Sequence, residues 1–360
     1  MGKVSSLWHQ IAIKIKIMKT LLTYYRQAIL VLIVLFICSC NKDDSGDKNH
    51  LFDADRINVY AVGIILQPGD VIEAILWKNG EELPLTSGIP EAEANALFVE
   101  SKDVYAVGFE YSGAHEMAMV WKNGIGTPLT DGNYDAIASS VFVVGSTVYV
   151  GGFEFNGTYN VAKIWKDGVE IVLSDGTQDA YVNGLFVDGN DVYAAGYEVA
   201  VGKSISRLWK NGIAMPLENS ATGIAQVNSV YIENDAVYAG GVESVGGKFI
   251  AKTWKNGVET FLTNGDEISK VNQIVVKDGE LYAAGREYRD GKGIAMVWKN
   301  GAATALTDGS ISSEANAVFV FNKDVYVVGS EGPIAKLWKN GEPTILSNNA
   351  FATGVFVVRE

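Results

Sequence analysis

From residue 57 onward the chain alternates short apolar runs with Gly, Asn and Asp, and it does so in units of four runs. The last complete unit shows the pattern. It contains "NAVFV" (Asn316–Val320), "DVYVVG" (Asp324–Gly329), "IAKLWK" (Ile334–Lys339) and "PTIL" (Pro343–Leu346). Each run is rich in Val, Ile, Leu and aromatic residues and is bounded by turn formers, which predicts a strand. Asn-Gly between the third and fourth runs predicts a type I′ hairpin turn, because both central residues of that turn need φ > 0.

The unit recurs. Trp77, Trp121, Trp165, Trp209, Trp254, Trp298 and Trp338 each open the sequence W-K-[ND]-G, at spacings of 44, 44, 44, 45, 44 and 40 residues. A fixed period in this range marks a repeat architecture. Four antiparallel strands repeated seven times predict an all-β seven-bladed β-propeller, with an open solenoid as the rival. The chain ends favour the propeller. The repeats start at "INVYAVG" (Ile57–Gly63), a second strand without a first. They stop at "GVFVV" (Gly354–Val358), a first strand without a second. N- and C-terminal strands sharing one blade close the ring and hide two sheet edges. The Trp residues, with Tyr60, Tyr105, Tyr149, Tyr193, Tyr238, Tyr282 and Tyr326 on the second strands, are expected to be packing rings between blades.

Function is sought where the units differ. The first-to-second and third-to-fourth connections have constant length, and both emerge on one face. The Tyr-to-Trp spacing varies, being 17 in the first unit, 16 in the next five and 12 in the last. So does the connection from each fourth strand to the next unit. These variable connections share the opposite face, the expected binding face. Its richest loops are "EYSGAHE" (Glu110–Glu116), "EFNGTYN" (Glu154–Asn160) and "EYRDGKG" (Glu287–Gly293). Tyr111, His115, Phe155, Tyr159, Tyr288 and Arg289, with Tyr134 and Tyr181 from the between-blade loops, are the ligand-binding candidates, suited to stacking on a sugar or anchoring a peptide. The alternative is that they are loop residues lying on their neighbours.

Two polar rings accompany this face. Asn95, Asn183, Asn228, Asn272 and Asn316, with Ser139 and Thr353 in the same column, are placed to ring a central channel, with local backbone as their expected partner. Glu110, Glu154, Glu198, Glu243, Glu287 and Glu331 end second strands, and loop amides or a neighbouring Lys are their expected partners. No catalytic set is predicted. The propeller has one histidine, His115, and neither a zinc spacing nor a G-x-S-x-G or phosphate-cradling motif. No metal or cofactor is expected.

The N-terminal segment differs in kind. Residues 1–39 carry five Lys or Arg and no acid, and they include the apolar run "AILVLIVLFIC" (Ala28–Cys38). Eleven residues are too few to span a bilayer comfortably, so the segment reads as a signal peptide, with an uncleaved membrane anchor as the alternative. "ICSC" (Ile37–Cys40) resembles the lipobox of bacterial lipoproteins. That resemblance implies a lipidated Cys40 at the start of the mature chain and a polar tether over residues 40–56. Met18 opens an alternative start, "MKTLLTYYRQ". "NKDD" after Cys40 resembles the acidic export tag of Bacteroidota surface lipoproteins, carried here by Lys42, Asp43 and Asp44. Both cysteines, Cys38 and Cys40, lie here, so residues 57–360 have no thiol chemistry.

Residues 40–360 hold 24 Lys and Arg against 42 Asp and Glu, a net charge of −18. Such a surface repels nucleic acid and anionic lipid heads. Membrane contact is expected through acyl chains. Residues 57–358 resemble bacterial propeller-repeat lipoproteins as a whole. The combined expectation is a monomeric propeller at the bacterial cell envelope, on the outer membrane, with outward display as one option. It would bind a glycan or an envelope or extracellular protein without catalysis. A propeller enzyme acting on polysaccharide is the alternative.

Overall fold

The computed structural model describes residues 57–69, 71–86, 91–200, 202–217 and 223–359. The signal, Cys40 and the tether lie outside the described residues. Every regular element among those described is a strand. The chain opens with β1 (Ile57–Gln67), β2 (Val71–Lys78) and β3 (Glu81–Pro84). Blade 1 follows as β4 (Ala92–Glu100), β5 (Asp103–Tyr111), β6 (Glu116–Lys122) and β7 (Ile125–Pro128). Blade 2 is β8 (Ala136–Val144), β9 (Thr147–Phe155), β10 (Asn160–Lys166) and β11 (Val169–Val172). Blade 3 is β12 (Ala180–Asp188), β13 (Asp191–Ala200), β14 (Lys203–Lys210) and β15 (Ile213–Ala214). Blade 4 is β16 (Ala225–Glu233), β17 (Ala236–Val245), β18 (Lys248–Lys255) and β19 (Val258–Phe261). Blade 5 is β20 (Ser269–Lys277), β21 (Glu280–Arg289), β22 (Lys292–Lys299) and β23 (Ala302–Ala305). Blade 6 is β24 (Ser313–Phe321), β25 (Asp324–Glu331), β26 (Ile334–Lys339) and β27 (Glu342–Asn348). The last strand, β28 (Ala350–Arg359), pairs antiparallel with β1 and completes blade 7 in the order β28-β1-β2-β3.

The fold is thus a seven-bladed propeller of four-stranded antiparallel blades. Each first strand lies against the first strands of its neighbours, and β28 sits between β24 and β4, so the ring is closed. First and second strands run two or three residues further than their apolar runs suggest, to Ser313 and Glu331 in blade 6. Their pairing continues past the glycine of the second strand, across a β-bulge.

That bulge explains the glycine. In each blade the first strand carries one extra residue opposite the second strand, as between Ala94 and Ala96 or between Val182 and Gly184. The bulge pushes a carbonyl toward the facing strand. A Cβ on Gly108 would lie 1.8 Å from the carbonyl oxygen of Glu93, and Gly63, Gly152, Gly196, Gly241, Gly285 and Gly329 face equivalent carbonyls at 1.8–2.0 Å.

Each letter of W-K-[ND]-G also has a task. All seven tryptophans are at most 2% exposed. Each packs in a cluster that joins two neighbouring blades, as Trp121 of blade 1 packs with Tyr60 of blade 7, and Trp338 of blade 6 with Tyr282 of blade 5. The core is therefore divided among the blade interfaces. The lysine pairs across the strands with Tyr, and its ammonium lies 5.1–5.6 Å from the ring centre in all seven blades, from Lys78 over Tyr60 to Lys339 over Tyr326. The Asn or Asp and the Gly both adopt positive φ, for example 52° at Asn123 and 80° at Gly124, as a type I′ turn demands. The Asn side chain does more than turn. Its Oδ1 accepts the N–H that opens the second strand, as Asn123 does from Val104 at 2.8 Å and Asp167 from Val148 at 2.8 Å.

The first strands enclose a channel of about 400 Å³. The bulged residue of most blades binds the next blade. Asn95 Nδ2 donates to the Ala138 carbonyl (3.0 Å), Asn183 to Val227 (3.0 Å), Asn228 to Val271 (2.7 Å), Asn272 to Ala315 (2.9 Å) and Asn316 to Ala352 (2.8 Å). Thr353 Oγ1 closes the circle on Ala94 (2.6 Å). The expected backbone partner is therefore found, but in the neighbouring blade, where it locks the ring.

Three residues on, Phe98, Phe142, Phe186, Tyr231, Phe319 and Phe356 form an aromatic collar, with Val275 in the seventh place. Successive centroids are 4.6–4.9 Å apart and the rings are inclined by 43–57°. A full turn divided by seven is about 51°, so the rings stand nearly parallel to the propeller axis, like vanes.

Candidate functional site at the loop face

Antiparallel alternation sends the short hairpins and W-K-[ND]-G turns to one face, the turn face. The second-to-third-strand loops and the between-blade connections go to the other, the loop face. The Glu column at the loop-face ends of the second strands is mostly neutralised in place. Glu154 pairs with Lys163 (2.6 Å), Glu198 with Arg207 (2.7 Å), Glu287 with Arg289 (2.8 Å), Glu243 with Lys252 and Glu331 with Lys336. Four of these cations sit two residues before the Trp. In blade 1 that position is Met119, so Glu110 instead accepts the indole N–H of Trp121 at 3.3 Å.

Blade 1 therefore breaks the pattern, and further carboxylates gather there. His115 is held in a tight loop by Ser112, whose N–H and hydroxyl both donate to the His115 carbonyl, at 2.8 and 2.9 Å. Its Nδ1 lies 2.9 Å from Asp135 Oδ1, and that oxygen also accepts the Glu116 N–H at 3.2 Å. Burial, followed by the charges of Asp135, Glu91 and Glu93, pushes the Glu116 carboxyl up to about 7. Burial and Glu91 raise Glu93 as well, and burial raises Glu110 against the Trp121 hydrogen bond.

This cluster has a measurable signature. Unfolded Glu116 ionises near its ordinary 4.5, and the folded carboxyl near 7. Folding takes up a proton between these values, so the contribution of Glu116 is favourable at low pH and is lost as pH rises through that window. Glu116→Gln is expected to leave stability at pH 5 nearly unchanged and to raise it at pH 8 by about 1–2 kcal/mol, after allowing for solvent screening. Urea denaturation at the two pH values measures this.

Aromatic side chains continue from the cluster across blades 1 to 3. The Tyr134 ring lies 6.5 Å from His115 and meets Phe155 edge-on at 6.2 Å. Tyr134 is exposed, and the glycine at position 157 of the next loop lies beside its hydroxyl edge. Exposed Tyr159 belongs to the same loop, which Asn156 pins by accepting the Thr158 and Tyr159 N–H groups and donating to Gly176. A second group follows. Tyr181, expected in a between-blade loop, instead lies within β12 opposite Tyr197, since the first strand extends past its apolar run. Phe153 meets it edge-on at 5.0 Å, and it stacks on Tyr197 at 4.8 Å. Asn160 Nδ2 donates to the Tyr181 hydroxyl at 2.7 Å. Burial raises Tyr181, and burial with Tyr181 and Asp179 nearby raises Tyr197 to about 12, so both remain neutral phenols.

Not every sequence candidate joins this group. Half-buried Tyr111 ends β5, its N–H bonded to the Glu91 carbonyl at 2.8 Å. Tyr288 and Arg289 belong to blade 5, in a different setting. There Arg286 lies 4.6 Å from the Tyr288 ring, and Lys270 and Arg286 both bind Glu314 at 2.6 Å. Although burial works against it, these two cations hold the Glu314 carboxyl below its usual range.

Phe153, Tyr197, Glu93, Glu116 and Asp135 were not singled out from the sequence. A signal for one column was present. The position two before the channel Asn reads Glu93, Ile137, Tyr181, Gln226, Lys270, Glu314 and Phe351 around the ring, a chemically diverse column inside a regular strand. Among the described residues no group of three or more His, Cys, Asp or Glu side chains is arranged to hold a metal ion.

No protein-family model matches the chain, and no curated protein matches its sequence. Among solved structures it is similar to TolB from Acinetobacter baumannii, with 11% identity and a TM-score of 0.48 over 82% of this chain and 80% of that one. It is also similar to hydrazine synthase from Kuenenia stuttgartiensis, with 9% identity and a TM-score of 0.47 over 85% of this chain. The match spans about half, 47%, of the hydrazine synthase chain. Similarities this remote say nothing about a ligand.

Proposed function

We propose that the protein is a non-catalytic binding module, held at the bacterial envelope through lipid on Cys40, that takes a glycan on the loop face of blades 1 to 3. The observation that supports this reading is the asymmetry of that face. His115, Tyr134 and Phe155, then Phe153, Tyr181 and Tyr197, line up on adjacent blades of an otherwise repetitive scaffold. Aromatic rings beside amide and carboxylate groups suit a sugar, whose C–H faces stack while its hydroxyls bond. Asn156, Asn160 and Asp135 supply such groups next to the rings. A protein ligand engaging the same rings is the other outcome of the test.

A second reading has its own observation. Glu116, poised near neutrality beside Asp135, gives blade 1 a carboxyl pair of the kind that general acid catalysis uses. One experiment separates the two. The protein is titrated against a glycan panel and the mixtures are analysed for released sugar. Saturable binding without product, weakened about tenfold or more by Tyr134→Ala, supports the binding module. Released sugar that disappears in Glu116→Gln while binding persists supports the enzyme. A panel without binding transfers the site to a protein ligand.

A further inference from the structure

The turn face carries an unexplained asymmetry. The residue after each W-K-[ND]-G turn is Ile125, Val169, Ile213 and Val258 in blades 1 to 4, but Ala302, Glu342 and Glu81 in blades 5 to 7. The four aliphatic side chains are 75%, 68%, 74% and 58% exposed, the highest values among the exposed large hydrophobic residues. They are absent from the blade cores, and each leaves more than half of an aliphatic side chain in water at the start of a fourth strand. Val144, on the same face of blade 2, is 45% exposed.

Their arrangement points to what they touch. Equivalent positions in consecutive blades lie on an arc in one plane perpendicular to the propeller axis. Four separated apolar tips in a plane do not form a pocket for a peptide, but they match a flat apolar boundary. Each tip also follows a lysine, at Lys122, Lys166, Lys210 and Lys255, whose ammonium lies 5.1–5.4 Å from the centre of a tyrosine ring. Lysine beside aliphatic residues is compatible with the membrane interface, where its methylene stem adds to the apolar surface.

The chain path agrees. β1 is a second strand, so it begins at the turn face, and β28 is a first strand, so it ends there. Fifty-six residues precede Ile57, and eighteen of them separate it from the apolar run that ends at Cys38. Eighteen extended residues reach about 60 Å, enough to let any part of this face meet the surface that holds the N-terminal segment. Lys122 is paired with Asp103 and Lys210 with Asp191, so the tips of blades 1 and 3 are locally neutral. The matching surface is therefore zwitterionic.

We infer that the turn face of blades 1 to 4 rests on a zwitterionic lipid surface through Ile125, Val169, Ile213 and Val258, which turns the loop face outward. This inference rests on the proposed envelope anchoring, and the test distinguishes the two. The full chain is mixed with vesicles of brominated phosphatidylcholine, which quenches tryptophan that enters the lipid. The seven propeller tryptophans are buried and Trp8 is common to every variant, so the added tryptophan is read as the difference from the parent full chain. I213W places the probe on an apolar tip, and Y134W places it on the loop face. Quenching of the added fluorescence in I213W but not in Y134W is expected. I125S combined with V258S is expected to lower the vesicle partition coefficient about tenfold or more. Co-sedimentation with unquenched I213W overturns the inference and leaves anchoring intact. Failure of the full chain to sediment with vesicles overturns both. Equal quenching in the two probe variants also overturns it, because the disc would then have no preferred face.

Discussion

Gly196→Ala lowers the stability of the propeller by about 3 kcal/mol or more, enough to leave little folded protein at 37 °C. A Cβ at this position would lie 1.8 Å from the Tyr181 carbonyl oxygen and 2.9 Å from its carbon. The obstacle is backbone in a paired strand, so no rotamer change relieves it. The bulge must flatten, and the flattening displaces Asn183, whose Nδ2 holds the Val227 carbonyl of the next blade. The cost therefore spreads from one blade to an interface. Gly145→Ala is the matched control. Gly145 has a φ of 60° with nothing within 4 Å of the added carbon, so only the left-handed conformation is penalised, by about 1–2 kcal/mol. Chemical denaturation of the two variants should show this separation. Equal costs would refute the close-approach explanation of the repeated glycine.

Trp121→Ala is expected to cost about 3–5 kcal/mol, the range for a large aromatic truncated in a packed core. Trp121 is 1% exposed and packs with Leu97, Val99 and Met119 of its own blade and with Tyr60 of blade 7, so its removal opens a cavity at a blade interface. The same substitution at Trp338, in the cluster with Tyr282, should cost a similar amount. The polar ends differ. Trp77 Nε1 donates to Ser347 at 2.7 Å, whereas Nε1 of Trp298 and of Trp338 has no hydrogen-bond partner among the described residues. Trp77→Phe should therefore cost about 1 kcal/mol more than Trp338→Phe. Urea midpoints measure all four variants. Costs scattered over several kcal/mol among the alanine variants would mean that the seven interfaces are not equivalent.

The propeller was legible because its determinants are local and repeated. Asn123-Gly124 can hardly be anything but a tight turn, and a second strand at one end with a first at the other implies their pairing. The bulge was not legible. Asn95 looks like any residue at a strand start, and only the paired structure shows that it is the extra one, with its amide directed at blade 2. The Glu column was read correctly as paired. Its exception, Glu110, follows from Met119 standing where four other blades carry a cation and from Ser112 standing where blade 5 has Arg289, a comparison that needs the cross-strand register.

The candidate site was half legible. Tyr134, Phe155 and His115 stood out in loops that vary, and the structure brings them into one group. Tyr181 belongs to a second group, because its partners Phe153 and Tyr197 sit inside strands where an aromatic looks like core. Tyr288 and Arg289 resembled them in sequence. They lie in blade 5 beside Arg286, two blades beyond the aromatic series, since neighbourhood around a ring follows blade order and not loop composition.

The most direct measurement is a pair of titrations with a glycan that the wild-type protein binds, one on Tyr134→Ala and one on Tyr288→Ala. Both residues lie on the loop face, and neither belongs to the repeated core. Binding by blades 1 to 3 predicts an affinity loss of about tenfold or more for Tyr134→Ala and less than about twofold for Tyr288→Ala, with unchanged urea midpoints for both. Equal losses, or a loss confined to Tyr288→Ala, would contradict the placement of the site on blades 1 to 3.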